Sequence, residues 1–206
     1  KRGWWQTYKD ILTPAYADFI SLETDASSML EYQVSLIPGL LQTAAYAREM
    51  IAAINMTSPP EEVNRLVEVR AARQAVLTRP DPPLSFWAII HEAALHQRTL
   101  QPTTMRDQLL RLLELAELPH VSIQVLPLEA PPHPGIAGAY TILSFPESVG
   151  LDGVLVEGLT SAVYIEEDKE VAAYTAAFER LRATALPFAD SLALIARLAD
   201  KMRGLT

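Results

Sequence analysis

A cluster of helix-breaking residues near the middle of the chain most constrains how the chain folds. The segment Arg79-Pro80-Asp81-Pro82-Pro83 places three of the 15 prolines within five residues. A helix or central strand cannot run through it, because proline fixes φ and lacks an amide hydrogen. We therefore predict a helical part over residues 1–79 and an α+β part over residues 84–206. At 206 residues, the two parts are expected to form one integrated domain.

The residues before the cluster have the apolar spacing of helices. Ser58-Pro59-Pro60-Glu61 is typical of a helix start, because serine caps the first turn and proline suits its geometry. This helix is predicted to run to about Leu77, and another is predicted over residues 40–54. The short apolar stretch over residues 29–37 is compatible with an extended segment.

Strand-like segments follow the cluster. They cover residues 84–90, 121–125, 139–145, 154–157 and 161–165, and the last two are predicted to form a hairpin through Gly158. Two helices are predicted after them, starting near Asp168 and after Pro187. We therefore predict an α+β fold in which a helical N-terminal half packs on a small, mostly antiparallel sheet of about five strands. Two C-terminal helices close this fold, and strands grouped in the middle argue against alternating βαβ units.

Composition excludes several classes of function. The chain has 17 Lys and Arg against 25 Asp and Glu, a net charge of -8, so it lacks the overall basic character needed to bind DNA or an anionic membrane. It contains no cysteine, which excludes disulfides and thiolate metal sites and indicates a reducing cytoplasm. No run of 18 apolar residues is present, so no membrane association is expected.

Motifs of catalysis and metal binding are absent from the sequence. No GxSxG, P-loop or GxGxxG pattern occurs. His91 and His96 are five residues apart, which on a helix turns the second ring roughly 140° away from the first. An enzyme would need titratable side chains to converge, for instance Glu157 with His91, and the sequence does not indicate that they meet. We expect no enzymatic activity, no cofactor and no metal.

The helix predicted from residue 59 carries cationic residues next to its apolar stripe. The stripe over residues 63–67 continues through Arg70 and Gln74, and Arg73 lies beside them. A guanidinium in such a position must find either a carboxylate or a ligand anion, because an unpaired buried charge is costly. The structural pair is favoured over the ligand. The candidate carboxylates are Glu23, Glu31 and Glu92.

One string near the start of the chain resembles a known family. Ile37-Pro38-Gly39-Leu40-Leu41-Gln42-Thr43, followed by Tyr46-Ala47-Arg48, resembles the C-terminal domain of unknown function that follows an XRE-type helix-turn-helix in many actinobacterial, antitoxin-like transcriptional regulators. Weaker matches cover nearly the whole chain in the family's order. They are Trp5, Tyr16, Glu23, Arg70, Arg73-Gln74, 124–127, 140–145, Val156-Glu157, Ala185-Leu186 and Ser191.

The resemblance implies a role for the chain. In such regulators a helix-turn-helix, here expected before Lys1, binds DNA, and the domain represented by this chain senses a small molecule or a small cognate protein. It also implies a homodimer, because such regulators usually read two half-sites. No catalytic residues follow from the resemblance. An alternative is an antitoxin-type interaction module that binds a small cognate protein without a pocket.

The residues of the string predict its local structure. Gly39 allows a turn that Leu40 and Leu41 anchor by burial, and Gln42 or Thr43 satisfies free amides at the start of the next helix. As a hypothesis, this junction directs Tyr46 and Arg48 toward a pocket shared with Arg70 and Gln74. The aromatic Trp87 is a further candidate for the pocket lining.

Overall fold

A six-stranded mixed sheet organises the chain. The computed structural model describes residues 3–80, 82–146 and 152–203, so Lys1 and Asp81 lie outside the described residues. The strands are β1 (Ser28–Gln33), β2 (Ser85–His91), β3 (Val121–Leu126), β4 (Tyr140–Ser144), β5 (Gly153–Glu157) and β6 (Ala162–Ile165). Their order in the sheet is β3-β2-β1-β4-β5-β6.

Seven α-helices surround the sheet in the described part of the chain. They are α1 (Pro14–Asp25), α2 (Ala44–Ile54), α3 (Pro60–Arg73), α4 (Glu92–Leu95), α5 (Pro102–Leu115), α6 (Asp168–Thr184) and α7 (Phe188–Met202). The predicted starts of the last two helices are confirmed. After Arg73, α3 continues as a 3-10 helix over Gln74–Leu77, which confirms the predicted end near Leu77.

Strand pairing confirms the α+β fold and corrects two details of it. β4, β5 and β6 are antiparallel, with the predicted hairpin closed by the Gly158 amide donating to the Ser161 carbonyl at 2.8 Å. The sheet has six strands instead of about five, because the apolar stretch after residue 28 forms β1 between β2 and β4. β1, β2 and β3 are mutually parallel. The expectation of no βαβ units is therefore wrong for these strands, since parallel neighbours require crossovers.

Each face of the sheet carries a hydrophobic core. Met29 on β1 and Ile90 on β2 face the larger core, which includes Leu109 of α5 and Ile195 of α7. Tyr32 is on the opposite face of β1 and belongs to a second core with Phe178 and Leu181 of α6. Alternating side chains of one strand thus enter different cores, as the pleat requires.

The proline cluster is fastened to the end of α1. The guanidinium of Arg79 donates to the carbonyls of Thr24 at 2.5 Å and Ala26 at 2.8 Å, and to that of Pro82 at 2.9 Å. These bonds position the chain for its entry into β2. Among the described residues, no helix has both the length and the apolar character needed to cross a membrane.

Candidate functional site

A cavity of about 270 Å³ lies among α2, α3 and α5. It opens to solvent past Ala44 and Ala71, which are exposed. Its lining combines polar side chains with a small apolar wall. The lining residues are Gln42, Thr43, Ala44, Ala47, Val67, Arg70, Ala71, Gln74 and Arg111.

The IPGLLQT string forms one wall of this cavity. Gly39–Leu41 is a 3-10 turn, and the side chains of Leu40 and Leu41 are completely buried beneath it. Thr43 then caps α2, because its hydroxyl accepts a hydrogen bond from the amide of Tyr46 at 3.2 Å. The predicted anchoring by leucine and capping by Thr43 are confirmed.

Gln42 connects the string to α3. Its side-chain oxygen accepts from Nη1 of Arg70 at 2.9 Å, and its backbone carbonyl accepts from Nε2 of Gln74 at 2.6 Å. Its own Nε2 donates to the carbonyl of Ile37 at 2.7 Å. Gln42 is buried, so these bonds fix both the string and the two α3 side chains in place.

Helix α5 supplies residues that sequence reasoning missed. Gln108 is completely buried, donates to the Leu41 carbonyl at 2.8 Å and accepts from the Thr43 amide at 2.7 Å. Arg111 lies one turn further along the same helix and reaches the cavity. The sequence feature that could have indicated Gln108 is that it is a polar residue inside the leucine stripe of α5.

Arg73 of α3 forms the structural pair that the sequence favoured. Its Nε and Nη2 donate to the two carboxylate oxygens of Glu23 at 2.8 and 2.6 Å, and its Nη1 donates to the Tyr16 hydroxyl at 2.9 Å. Burial alone would lower the pKa of Arg73, but Glu23 and Tyr16 raise it well above its usual range. A Cβ on Gly39 would lie 3.3 Å from Nη1, so glycine makes room for the guanidinium.

Arg70 has no such partner in the part of the chain that the structure describes. Its Nη1 donates to Gln42, while its Nε is buried and has no hydrogen-bond partner among the described residues. None of the three candidate carboxylates pairs with it there. A buried N–H without a partner costs free energy, which distinguishes Arg70 from the fully satisfied Arg73.

Of the five ligand residues named from the sequence, Arg70 and Gln74 line the cavity. Tyr46 is completely buried, and its hydroxyl accepts from the Ile37 amide at 3.2 Å; burial raises its pKa. Arg48 is exposed on α2, where its Nε donates to Asn64 at 3.1 Å. Trp87 lies elsewhere, with the Arg182 guanidinium 3.8 Å from its ring centre. Helical periodicity alone did not separate these positions.

The residues considered for metal binding or catalysis lie in other parts of the molecule. His91 ends β2 and Glu157 ends β5, and two strands separate them, which puts their backbones roughly 14 Å apart. Glu92 accepts from the Leu128 amide at 3.0 Å and pairs with His96 at 3.3 Å. Within the described ranges, no three such side chains form a metal-binding group.

Comparison with known proteins identifies the family. A family model described as Domain of unknown function (DUF5753) matches residues 16–197, so the chain belongs to this family. The match begins in α1 and ends in α7, and it therefore includes the cavity and the Arg73–Glu23 pair. None of the curated proteins matches the sequence significantly.

Proposed function

We propose that this chain is the non-enzymatic effector domain of a helix-turn-helix transcriptional regulator of the XRE type. In this proposal, a small molecule in the α2–α3–α5 cavity controls DNA binding by an N-terminal segment of the same protein. The observation that carries it is the cavity itself, which holds an arginine with unused hydrogen-bonding capacity. Concave sites with a few convergent polar groups are the usual form of ligand pockets.

The net charge of the chain supports the proposal that DNA binding and ligand binding lie in different parts of the protein. A domain with a net charge of -8 has no electrostatic reason to contact the phosphate backbone. DNA binding therefore requires a separate basic segment. The acidic domain then binds the ligand. The IPGLLQT string and its neighbours resemble regulators from actinobacteria, and in those regulators the DNA-binding segment is a helix-turn-helix.

The test uses the complete product of the gene that encodes this chain. Its affinity for its own promoter fragment is measured by mobility shift, with and without the small-molecule fraction of a cell extract. We expect the extract to change the promoter affinity of the wild type at least fivefold. The promoter affinity of Ala71→Trp should not change, because its indole fills the cavity. Ala53→Trp places the same side chain on an exposed part of α2 outside the cavity and must respond like wild type.

Two results would overturn the proposal. One is a complete protein that shows no specific DNA binding. The other is an equal response of Ala71→Trp and wild type, since the effect would then not pass through the cavity.

A protein partner is the second candidate, and exposed apolar side chains near α2 favour it. Met56 and Leu100 are 80% and 86% exposed, and the amide of Leu100 donates to Glu49 of α2 at 2.6 Å. If a small cognate protein binds here, Met56→Ser with Leu100→Ser will abolish its co-purification, whereas Ala71→Trp will not. The opposite pattern would exclude this alternative.

A further inference from the structure

The cavity has a local charge opposite to that of the whole chain. Two of the described residues that line it are arginines, Arg70 and Arg111, and none of them is an aspartate or glutamate. The N-terminus of α2 at Ala44 adds partial positive charge to the same wall. In a chain of net charge -8, this cavity therefore favours an anion.

The second arginine is available to a ligand. Arg111 pairs with Glu114 at 3.1 Å, but their side chains are 38% and 65% exposed. An exposed pair of this kind contributes little, so its guanidinium can exchange the carboxylate of Glu114 for an anion in the cavity at small cost.

Arg70 differs from Arg73 in the donors that it leaves free for a ligand. Arg73 uses Nε and Nη2 to hold the two oxygens of a carboxylate side by side, at 2.8 and 2.6 Å. Arg70 has its Nη1 bound to Gln42, and among the described residues neither its Nε nor its Nη2 has a hydrogen-bond partner; Nε is buried, so the donor that a ligand can reach is Nη2. Nη2 of Arg70 is thus a charged donor for a carboxylate, and the guanidinium of Arg111 lines the same cavity.

The rest of the lining indicates the body of the ligand. Ala44, Ala47, Val67 and Ala71 form a small apolar wall. Such a wall suits a short hydrocarbon and gives no hydrogen bonds to the many oxygens of an inorganic anion. The volume of about 270 Å³ lies just below the usual range of about 300–1,000 Å³ and limits the ligand to a small one.

We propose that the cavity binds a small organic carboxylate, whose oxygens pair with Nη2 of Arg70 and with the guanidinium of Arg111 and whose short apolar body lies against α2 and α3. This inference rests on the proposed function, because it names the ligand class of the same cavity. Gln74 is a positioning residue in it: its bond to the Gln42 carbonyl holds the string against α3.

The experiment is calorimetric titration of the 206-residue chain with butyrate, hexanoate and benzoate at constant ionic strength. Butyramide serves as the neutral isostere of butyrate, and inorganic phosphate serves as the anion without an apolar body. We expect saturable binding of at least one carboxylate, and binding of butyramide and phosphate at least about tenfold weaker.

Substitutions test whether the carboxylate binds in the cavity. Arg70→Met and Arg111→Met each remove one charged donor from the cavity, so we expect each substitution to weaken carboxylate binding at least about tenfold. Arg48→Gln removes the same charge from the outer face of α2 and leaves the affinity unchanged. Ala71→Trp abolishes binding by filling the cavity, which provides a test that keeps Arg70 should its variants fail to fold.

Equal binding of butyramide, tighter binding of phosphate, the absence of binding by all three carboxylates, or unchanged affinity in Arg70→Met would each overturn this inference. The titration contains no DNA, so its result is separate from that of the proposed function. A carboxylate that binds without changing promoter affinity in the complete protein refutes the function alone. A promoter response abolished by Ala71→Trp, with no carboxylate binding, refutes this inference alone.

Discussion

Arg70 and Arg73 lie one turn apart on α3, yet among the described residues only Arg73 is paired with a carboxylate. Arg73 reaches Glu23 of α1 with two hydrogen bonds, whereas in the same part of the chain Arg70 donates only to the amide oxygen of Gln42. The first arginine therefore joins two helices in the core. The second lines a cavity and retains unused donors, which is why the two side chains are expected to respond differently to substitution.

Replacing each arginine by glutamine tests this difference. Arg73→Gln leaves Glu23 buried without its partner, so we expect the free energy of unfolding to fall by about 3–5 kcal/mol. Arg70→Gln loses one hydrogen bond at a partly exposed position and should cost about 1 kcal/mol. Urea unfolding followed by circular dichroism measures both. Equal losses would show that Arg70 is also a structural residue.

Gly39→Ala probes the contact between the IPGLLQT string and Arg73. Gly39 does not have a positive φ, so alanine is tolerated by the backbone, but its Cβ would lie 3.3 Å from Nη1 of a side chain held by Glu23 and Tyr16. We expect a loss of about 1–2 kcal/mol in unfolding free energy. Gly158→Ala is the control, because Gly158 is exposed and its Cβ would make an ordinary contact, 3.4 Å from the Ser161 carbonyl oxygen. A neutral Gly39→Ala would mean that the ion pair moves aside without cost.

Glu31 predicts a specific dependence of stability on pH. Burial raises its pKa from the ordinary 4.5 to about 7, against the opposing effects of a hydrogen bond from Gln33 and the charge of Arg73. Between these two pH values the folded protein retains a proton that the unfolded chain releases. Its stability relative to Glu31→Gln therefore falls as pH rises from about 4.5 to 7, by up to about 3 kcal/mol, and is constant above that range.

The measurement for Glu31 is the difference in unfolding free energy between wild type and Glu31→Gln across this pH range. Taking the difference removes the contribution of groups whose pKa is lowered, such as Glu92, which act in the opposite direction. A difference that stays constant from pH 4.5 to 7 would contradict the prediction.

Ser191→Ala tests how α7 is attached to the edge strand β3. The hydroxyl of Ser191 accepts from the Val125 amide at 2.9 Å and donates to the Leu186 carbonyl at 3.2 Å, and the residue is completely buried. Alanine leaves the Val125 N–H without a partner, so we expect a loss of about 1–3 kcal/mol. Unfolding in urea measures this loss, and hydrogen exchange at Val125 should accelerate. Ser122→Ala on the same strand, at a partly exposed position, serves as the control and should be nearly neutral.

The elements of this protein that depend on local sequence were predictable. Thr43 as a cap, the helix end near Leu77 and the hairpin at Gly158 each follow from side chains within a few residues of the feature. The buried partner of Arg73, in contrast, could be predicted only as one of three carboxylates, because it is distant in the sequence. A carboxylate fifty residues away in the chain is specified by packing, which local spacing does not reveal.

By itself the sequence determined the positions of α3, α6 and α7, of strands β2 to β6 and of the proline break, because periodicity and turn chemistry act over short distances. Only the tertiary structure decided that β1 lies between β2 and β4, and that Arg111 of α5 joins Arg70 and Gln74 around one cavity. It likewise placed Trp87, Arg48 and Tyr46 outside that cavity. These outcomes depend on which elements pack together over long chain separations, and the burial of the two cores drives that choice.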